Sequence, residues 1–312
     1  MKIKEYWYSL SIILIVIIGL SFPQYFESVG GVKLSSLIKP VLQVIMFGMG
    51  ATMAMSDFVE VFRSPKKVMI GLFCQFTIMP VLGYTLSRVF NFPLEIAAGI
   101  ILIGCSPSGL ASNVMALLAK ANLALSITIT AMATLLAPIM TPVLMKVFGA
   151  GLIEIDFLKM FFDMAQLVLL PIILGLVINK VFPSLVEKIK SKLPVFSMIG
   201  IAYIILVVAA SGSEGLKAVG FLLVLAVILH NVFGYTLGYY AAKLFKLNSA
   251  DARAIALEVG MQNGGLATAL ANEMGKLATV GLAPGIFGIV MNISGSILAN
   301  IWSKKPVSNS EN

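Results

Sequence analysis

The stretch Glu258-Val259-Gly260-Met261-Gln262-Asn263-Gly264-Gly265-Leu266-Ala267 puts a carboxylate and two carboxamides beside three glycines, within apolar sequence long enough to cross a bilayer. A charge at membrane depth costs ~2.5–3.5 kcal/mol on insertion scales, so an ionisable residue there points to function. The Asn-Gly-Gly step breaks a helix. A broken helix in lipid leaves backbone groups unpaired, which is tolerated only where protein encloses them or they line a cavity. Unwound carbonyls beside a carboxylate and two amides suit coordination of a cation.

A second interruption stands at Cys105-Ser106-Pro107-Ser108-Gly109. Pro107 removes a backbone donor and crowds the preceding turn. Ser108 is expected to cap a half-helix beginning at Gly109, and Asn263 to cap one after the other break. Polar groups gather near both. Ser112 and Asn113 follow the first break by about one turn. Ser126 and Thr130, four residues apart, share a helix face, as Glu258 and Gln262 are expected to do. Gln75 lies midway along its own apolar run. Hard oxygen ligands of this kind suit Na+, and carboxylates are too few for Ca2+. Glu258 reads as the only acidic residue deep in any span. The single histidine, His230, reads as a packed histidine rather than a proton relay. Cys74 and Cys105 read as small buried hydrophobes, with no disulfide framework or metal-ligand spacing.

The elements that carry these residues follow from composition. The chain has 312 residues, 59% hydrophobic and 12% charged, with a mean hydropathy of +1.00. A soluble domain has about twice that charged share, so an all-α polytopic membrane fold is predicted. Apolar runs of helical length occupy 8–26, 37–55, 67–88, 93–119, 123–148, 157–181, 194–212, 218–244, 251–272 and 281–302. The net charge of +8 belongs to basic loops facing cytoplasm and anionic lipid. No long basic soluble segment exists to bind nucleic acid. Fifteen of the 22 basic residues, Arg253 among them, fall in segments on the side of the two termini, which predicts that both termini are cytoplasmic. Lys2 and Lys4 open the chain like a signal peptide, but no small-residue cleavage site follows, so the first span reads as retained. Trp7 and Trp302 fit interfacial belts, Asp163 an interfacial position, and Pro306 to Asn312 a disordered tail.

Two echoes suggest an internal repeat. Gly83-Tyr84-Thr85-Leu86 returns as Gly234-Tyr235-Thr236-Leu237, and Gly109-Leu110-Ala111 as Gly265-Leu266-Ala267, each about half a chain later. Residues 1–150 and 151–312 would each hold five spans. Five is odd, so the second copy enters the membrane inverted, a signature of secondary transporters.

The segments Gly104-Cys105-Ser106-Pro107-Ser108-Gly109-Leu110-Ala111-Ser112-Asn113-Val114-Met115 and Glu258 to Ala267 resemble the two signature segments of the bile acid:sodium symporter family, as do Leu229-His230-Asn231 and Asn292-Ile293-Ser294-Gly295-Ser296. The resemblance covers roughly residues 5–303 and is greatest to the bacterial homologues of the apical sodium-dependent bile acid transporter. It implies ten helices in two inverted five-helix repeats. The panel domain would hold spans 8–26, 37–55, 157–181 and 194–212, and the core domain 67–148 and 218–302, with helices four and nine broken and crossing. It also implies two Na+ sites. Ser112, Asn113, Ser126, Thr130 and Glu258 would form one. Gln75, Glu258, Gln262 and the carbonyls of Val259 and Met261 would form the other. The substrate-facing positions would be Leu110, Ala111, Asn263, Gly264, Met291 and Asn292. Bacterial members with a bile-acid pocket often carry Thr at Leu110 and His at Met291, so two polar contacts are missing here. Half-helix N-termini still favour an anion. The expected activity is sodium-coupled symport of an organic anion, bile-acid-like or a small carboxylate such as pantoate, by a monomer in the inner membrane using alternating access. The rival within the fold is a proton-coupled or uncoupled carrier, such as an arsenite-type exporter. An intramembrane enzyme is disfavoured, because one histidine with no second basic partner makes no nucleophile–base pair.

Overall fold

The computed structural model describes residues 4–53 and 59–305. Lys2, the side chain of Trp7 and the tail from Pro306 onward lie outside the described residues. The helices are, in order, α1 (Lys4–Ser21), α2 (Gln24–Glu27), α3 (Ile38–Thr52), α4 (Val59–Arg63), α5 (Pro65–Val89), α6 (Leu94–Gly104), α7 (Ala111–Leu118) and α8 (Leu123–Phe148). They continue with α9 (Phe157–Met164), α10 (Leu170–Val181), α11 (Pro183–Lys190), α12 (Leu193–Ser211), α13 (Ser213–Leu244), α14 (Ser249–Gly260), α15 (Gly264–Glu273) and α16 (Leu282–Ser303). A π-helical stretch, Ala165–Leu169, joins α9 to α10. The sheet among the described residues is one hairpin, Ser28–Val29 against Val32–Lys33.

Among the described residues six helical stretches are long and apolar enough to cross a bilayer: Leu34–Thr52, Pro65–Val89, Leu123–Phe148, Phe157–Val181, Ser213–Leu244 and Leu282–Ser303. Pro183–Lys190 with Val195–Ser211, bent by 63°, makes a seventh if taken as one span. The protein is therefore a nearly all-helical, multi-pass membrane protein. The runs at 93–119 and 251–272 are each two short helices with an unwound segment between them: α6 and α7, α14 and α15.

Polarity runs inside out, as lipid requires. Phe221, Leu244 and Val89 are 81%, 80% and 71% exposed, while Gln75 and Glu258 are fully buried. Burying polar groups is costly unless each finds a partner. The packing follows two sets of contacts. α3 lies against α10 and α12, and α12 against α1. α5 lies against α6, α8, α13 and α14, while α16 touches α6, α7, α13 and α15. α15 also meets α3, so the two sets touch beside the second break.

Candidate functional site

The two unwound segments meet each other. Ser108 and Gln262 form an antiparallel bridge. Gly109 N–H donates to Met261 O at 3.1 Å, and Asn263 N–H to Pro107 O at 2.8 Å. Three more carbonyls freed by the breaks are answered by side chains from neighbouring helices. Thr141 Oγ1 donates to Cys105 O at 2.8 Å, Gln75 Nε2 to Ser106 O at 3.0 Å, and Asn231 Nδ2 to Gly260 O at 2.8 Å. A backbone that leaves the helix at membrane depth must be satisfied internally, and here each of these carbonyls is. The close approach needs glycine. A Cβ on Gly109 would lie 3.1 Å from Gln262 O, and one on Gly264 would lie 2.9 Å from Pro284 O.

Beside this junction stands Glu258, on the last turn of α14. Its Oε1 accepts hydrogen bonds from Ser112 Oγ and Ser126 Oγ, both at 2.6 Å. Its Oε2 accepts one from Thr130 Oγ1 at 2.6 Å. Asn113 Oδ1 competes for two of the same protons, at 2.9 Å from Ser126 Oγ and 3.2 Å from Thr130 Oγ1. Gly109 O competes for the third, at 2.7 Å from Ser112 Oγ. Each hydroxyl carries one proton. The three hydrogen-bonded protons therefore face four acceptor oxygens, the Ser108 hydroxyl being turned toward Glu258 without a hydrogen bond, and no basic side chain among the described residues pairs with Glu258. Such a cluster is rich in lone pairs and poor in donors. Oxygen ligands of this type are of the kind that suits a hard cation.

Gln75 lies on α5. Its Nε2 also donates to Gln262 Oε1 at 2.8 Å, and Gln262 Nε2 donates to Val259 O at 2.6 Å. Gln75 Oε1 is buried with no hydrogen-bond partner. An unanswered buried acceptor is costly.

The structure thus gathers Ser112, Asn113, Ser126, Thr130 and Glu258 in one cage, and joins Gln75 to Gln262 and Val259 in a chain of hydrogen bonds. Met261 contributes its carbonyl to the pairing with Gly109. Leu110, Asn263 and Gly264 lie at the junction. Gly264 abuts Gly288 on α16, one turn before Asn292, whose Nδ2 donates back to Gly288 O at 2.6 Å. Leu110, Ala111, Asn263 and Asn292 are partly exposed, whereas Met291 is buried and its carbonyl accepts from Tyr235 Oη at 3.2 Å.

Two sequence expectations need correction. Ser108 does not cap a half-helix: α7 starts at Ala111, and Ser108 Oγ is turned toward Glu258 without making a hydrogen bond. Asn263 does cap α15, accepting from Leu266 N–H at 3.0 Å. Gln262 is not one helical turn beyond Glu258 on the same face, because α14 ends at Gly260 and Gln262 belongs to the bridge. Arg253, inside the predicted span 251–272, lies within α14 and is 4% exposed. At the very start of that span Asp251, on the first turn of α14, is also buried, at 1% exposed. His230 stands apart from the cage: its Nε2 lies 2.9 Å from Met79 O and its ring meets Phe287 edge-on.

The model of the Sodium Bile acid symporter family matches residues 39–219. A Bacillus subtilis protein named "Uncharacterized sodium-dependent transporter YocS" is 44% identical over 295 residues, 94% of this chain and 90% of that one. The Arabidopsis thaliana protein named "Probable sodium/metabolite cotransporter BASS1, chloroplastic" is 32% identical over 84% of this chain and 66% of its own length. The rice protein named "Probable sodium/metabolite cotransporter BASS2, chloroplastic" is 33% identical over 85% of this chain and 63% of its own length. These relatives are named as transporters and none as an enzyme.

Proposed function

This chain belongs to the Sodium Bile acid symporter family, a family of sodium-dependent transporters, and from that premise we propose that it couples entry of an organic anion to sodium through the Glu258 cage. One observation carries the reading. Seven oxygens, from Glu258, Asn113, Ser112, Ser126, Thr130 and Gly109 O, converge with three protons among them, where two unwound segments meet. Na+ there would replace the competing hydrogen bonds with ion–oxygen contacts and hold α7, α8 and α14 in one arrangement. A second Na+ would use Gln75 Oε1, Glu258, Gln262 and the carbonyls of Val259 and Met261. The partnerless Gln75 Oε1 supports this second site.

In this reading the chain crosses the inner membrane ten times as a monomer, with both termini in the cytoplasm. Residues 1–150 and 151–312 are inverted copies. α1, α3, α9–α10 and α12 form a panel, and the other spanning helices form a core that rocks against it. The substrate anion lies by Leu110, Ala111, Asn263, Gly264, Met291 and Asn292, near the N-termini of α7 and α15, whose dipoles favour negative charge. Leu110 and Met291 remove two polar contacts that bile-acid pockets of bacterial members often have, so a bile acid is one candidate beside small carboxylates such as pantoate.

The test is thermal-shift screening of purified protein against organic acids, in NaCl and in choline chloride, followed by uptake of any hit into liposomes. The reading requires stabilisation and uptake that depend on Na+. Uptake unchanged in choline would return the proton-coupled or uncoupled carrier, of the arsenite-exporter type.

A further inference from the structure

The buried Asp251 and Arg253 lie on α14 seven and five residues before Glu258. At 1.5 Å per residue those spacings are roughly 10 and 7 Å. Neither touches the cage. Each instead grips the ends of helices that carry it.

Asp251 Oδ1 accepts from Asn122 Nδ2 at 2.7 Å, and Asp251 Oδ2 lies 2.8 Å from Lys67 Nζ. Asn122 is the N-cap of α8, its Oδ1 accepting from Leu125 N–H at 3.1 Å, and its own N–H donates to Ala250 O at 3.1 Å. Lys67 stands on the first turn of α5. One carboxylate is thus placed at the N-terminal ends of α5, α8 and α14. Arg253 Nη1 donates to Ala119 O, just past the end of α7, at 3.1 Å and to Trp302 O at 3.2 Å. Its Nη2 donates to Lys305 O at 3.2 Å. One cation is thus placed at the C-terminal ends of α7 and α16. Acid at N-termini and base at C-termini is the arrangement that helix dipoles favour.

The helices held here are those that bear the oxygens. Gln75 is on α5, Ser112 and Asn113 on α7, Ser126 and Thr130 on α8, and Glu258 on α14. Ser126 is one turn from Asn122. Sliding or tilting any of the four helices by a fraction of an ångström at the clamp would change oxygen spacing in the cage, where a cation is sensitive to such distances.

We infer that Asp251 and Arg253, with Lys67 and Asn122, form a positioning clamp that sets the sodium affinity of the Glu258 cage without contacting the ion. The inference rests on the sodium reading of that cage. Asn122→Ser is the sharpest probe, since serine still caps α8 but cannot reach Asp251 as the amide does. Lys67→Met is the second, removing one grip at a partly exposed position. Glu95→Gln is the control, because Glu95 pairs with Lys276 and Thr279 at the far end of α6 and touches no clamp residue.

Each protein is titrated with NaCl against choline chloride at constant ionic strength, with melting temperature as the readout. Asn122→Ser should melt near the wild type in choline and Lys67→Met, which leaves the buried Asp251 without its cation, below it in either salt, yet both should need about tenfold more sodium for half-maximal stabilisation, the low end of what is lost when groups that orient metal ligands are removed. Glu95→Gln should keep the wild-type midpoint. A fold-supporting role alone would lower melting equally in both salts and leave the midpoint in place. A responsive wild type with unshifted Asn122→Ser and Lys67→Met overturns the clamp and leaves the sodium reading standing. A wild type indifferent to sodium overturns both.

Discussion

At the scale of single residues, the balance of protons and lone pairs decides what the cage does. Glu258 is fully buried and is held by three hydroxyls at 2.6 Å. Those bonds answer an ionised carboxylate in part, but a buried charge without a counter-ion remains costly. Glu258→Gln keeps the shape and removes the charge. Without sodium this variant should be at least as stable as the wild type, because the desolvation cost is gone. With sodium it should gain nothing, whereas a wild type at a hundred times its half-saturating concentration gains about 2.7 kcal/mol by linkage. Melting curves in the two salts check both halves, and a normal sodium response in Glu258→Gln would remove the carboxylate from the site. Thr130→Val deletes one cage oxygen at nearly constant volume and should weaken the sodium midpoint by roughly tenfold. The chemistry of these residues was legible in sequence, because a carboxylate, amides and hydroxyls in apolar runs have few other uses. Asp251 and Arg253 were not. Charges near a span's end are ordinary in a loop, and only the packing of five helix ends around them shows that they are enclosed.

Among the elements, the breaks were legible and their edges were not. Pro107 and the Asn263-Gly264-Gly265 step mark where a helix cannot continue. Where the next one begins depends on tertiary partners. Asn263 caps α15 as its type suggests, whereas Ser108 is drawn into the bridge with Gln262, so α7 starts at Ala111, two residues after the expected Gly109. Backbone pairing between segments 154 positions apart in the chain has no local signal. The packing of α15 on α16 makes Gly264 intolerant of a side chain, since a Cβ there meets the carbonyl of Pro284 at 2.9 Å, an atom of backbone that cannot rotate aside. Gly264→Ala should therefore destabilise the protein by about 1–3 kcal/mol and displace α15 from α16. Gly265→Ala, one residue on and with its nearest neighbours at 3.7 Å, should be close to neutral. Comparing their melting temperatures in choline, where no ion contributes, isolates the packing term. Equal losses at the two positions would mean that the tight approach to α16 is not what fixes the start of α15.

For the whole molecule, hydropathy announced a membrane protein, but not which helices move. The contact between the two helix sets is polar at one end. Lys39 on α3 pairs with Glu273 at the end of α15 at 3.0 Å, and Asn272 Nδ2 donates to Ser35 O at 3.2 Å. Lys39 also reaches Gln166, in the stretch joining α9 to α10, at 3.4 Å. Both ties are partly solvated, and exposed ion pairs contribute only about 0–1 kcal/mol. They are weak enough to break in each transport cycle, as the proposed rocking of a core against a panel would require. Glu273→Gln should therefore leave stability almost unchanged while altering the population of the two arrangements. Fixing the tie should have the opposite consequence. With Lys39→Cys and Glu273→Cys joined by a short bifunctional thiol reagent, sodium-dependent uptake of the anion found by screening should stop, while each single variant treated alike continues to transport. The native Cys74 and Cys105 are buried away from the reagent. Transport by the joined protein would mean that α3 and α15 travel together, and that the moving boundary lies elsewhere in the fold.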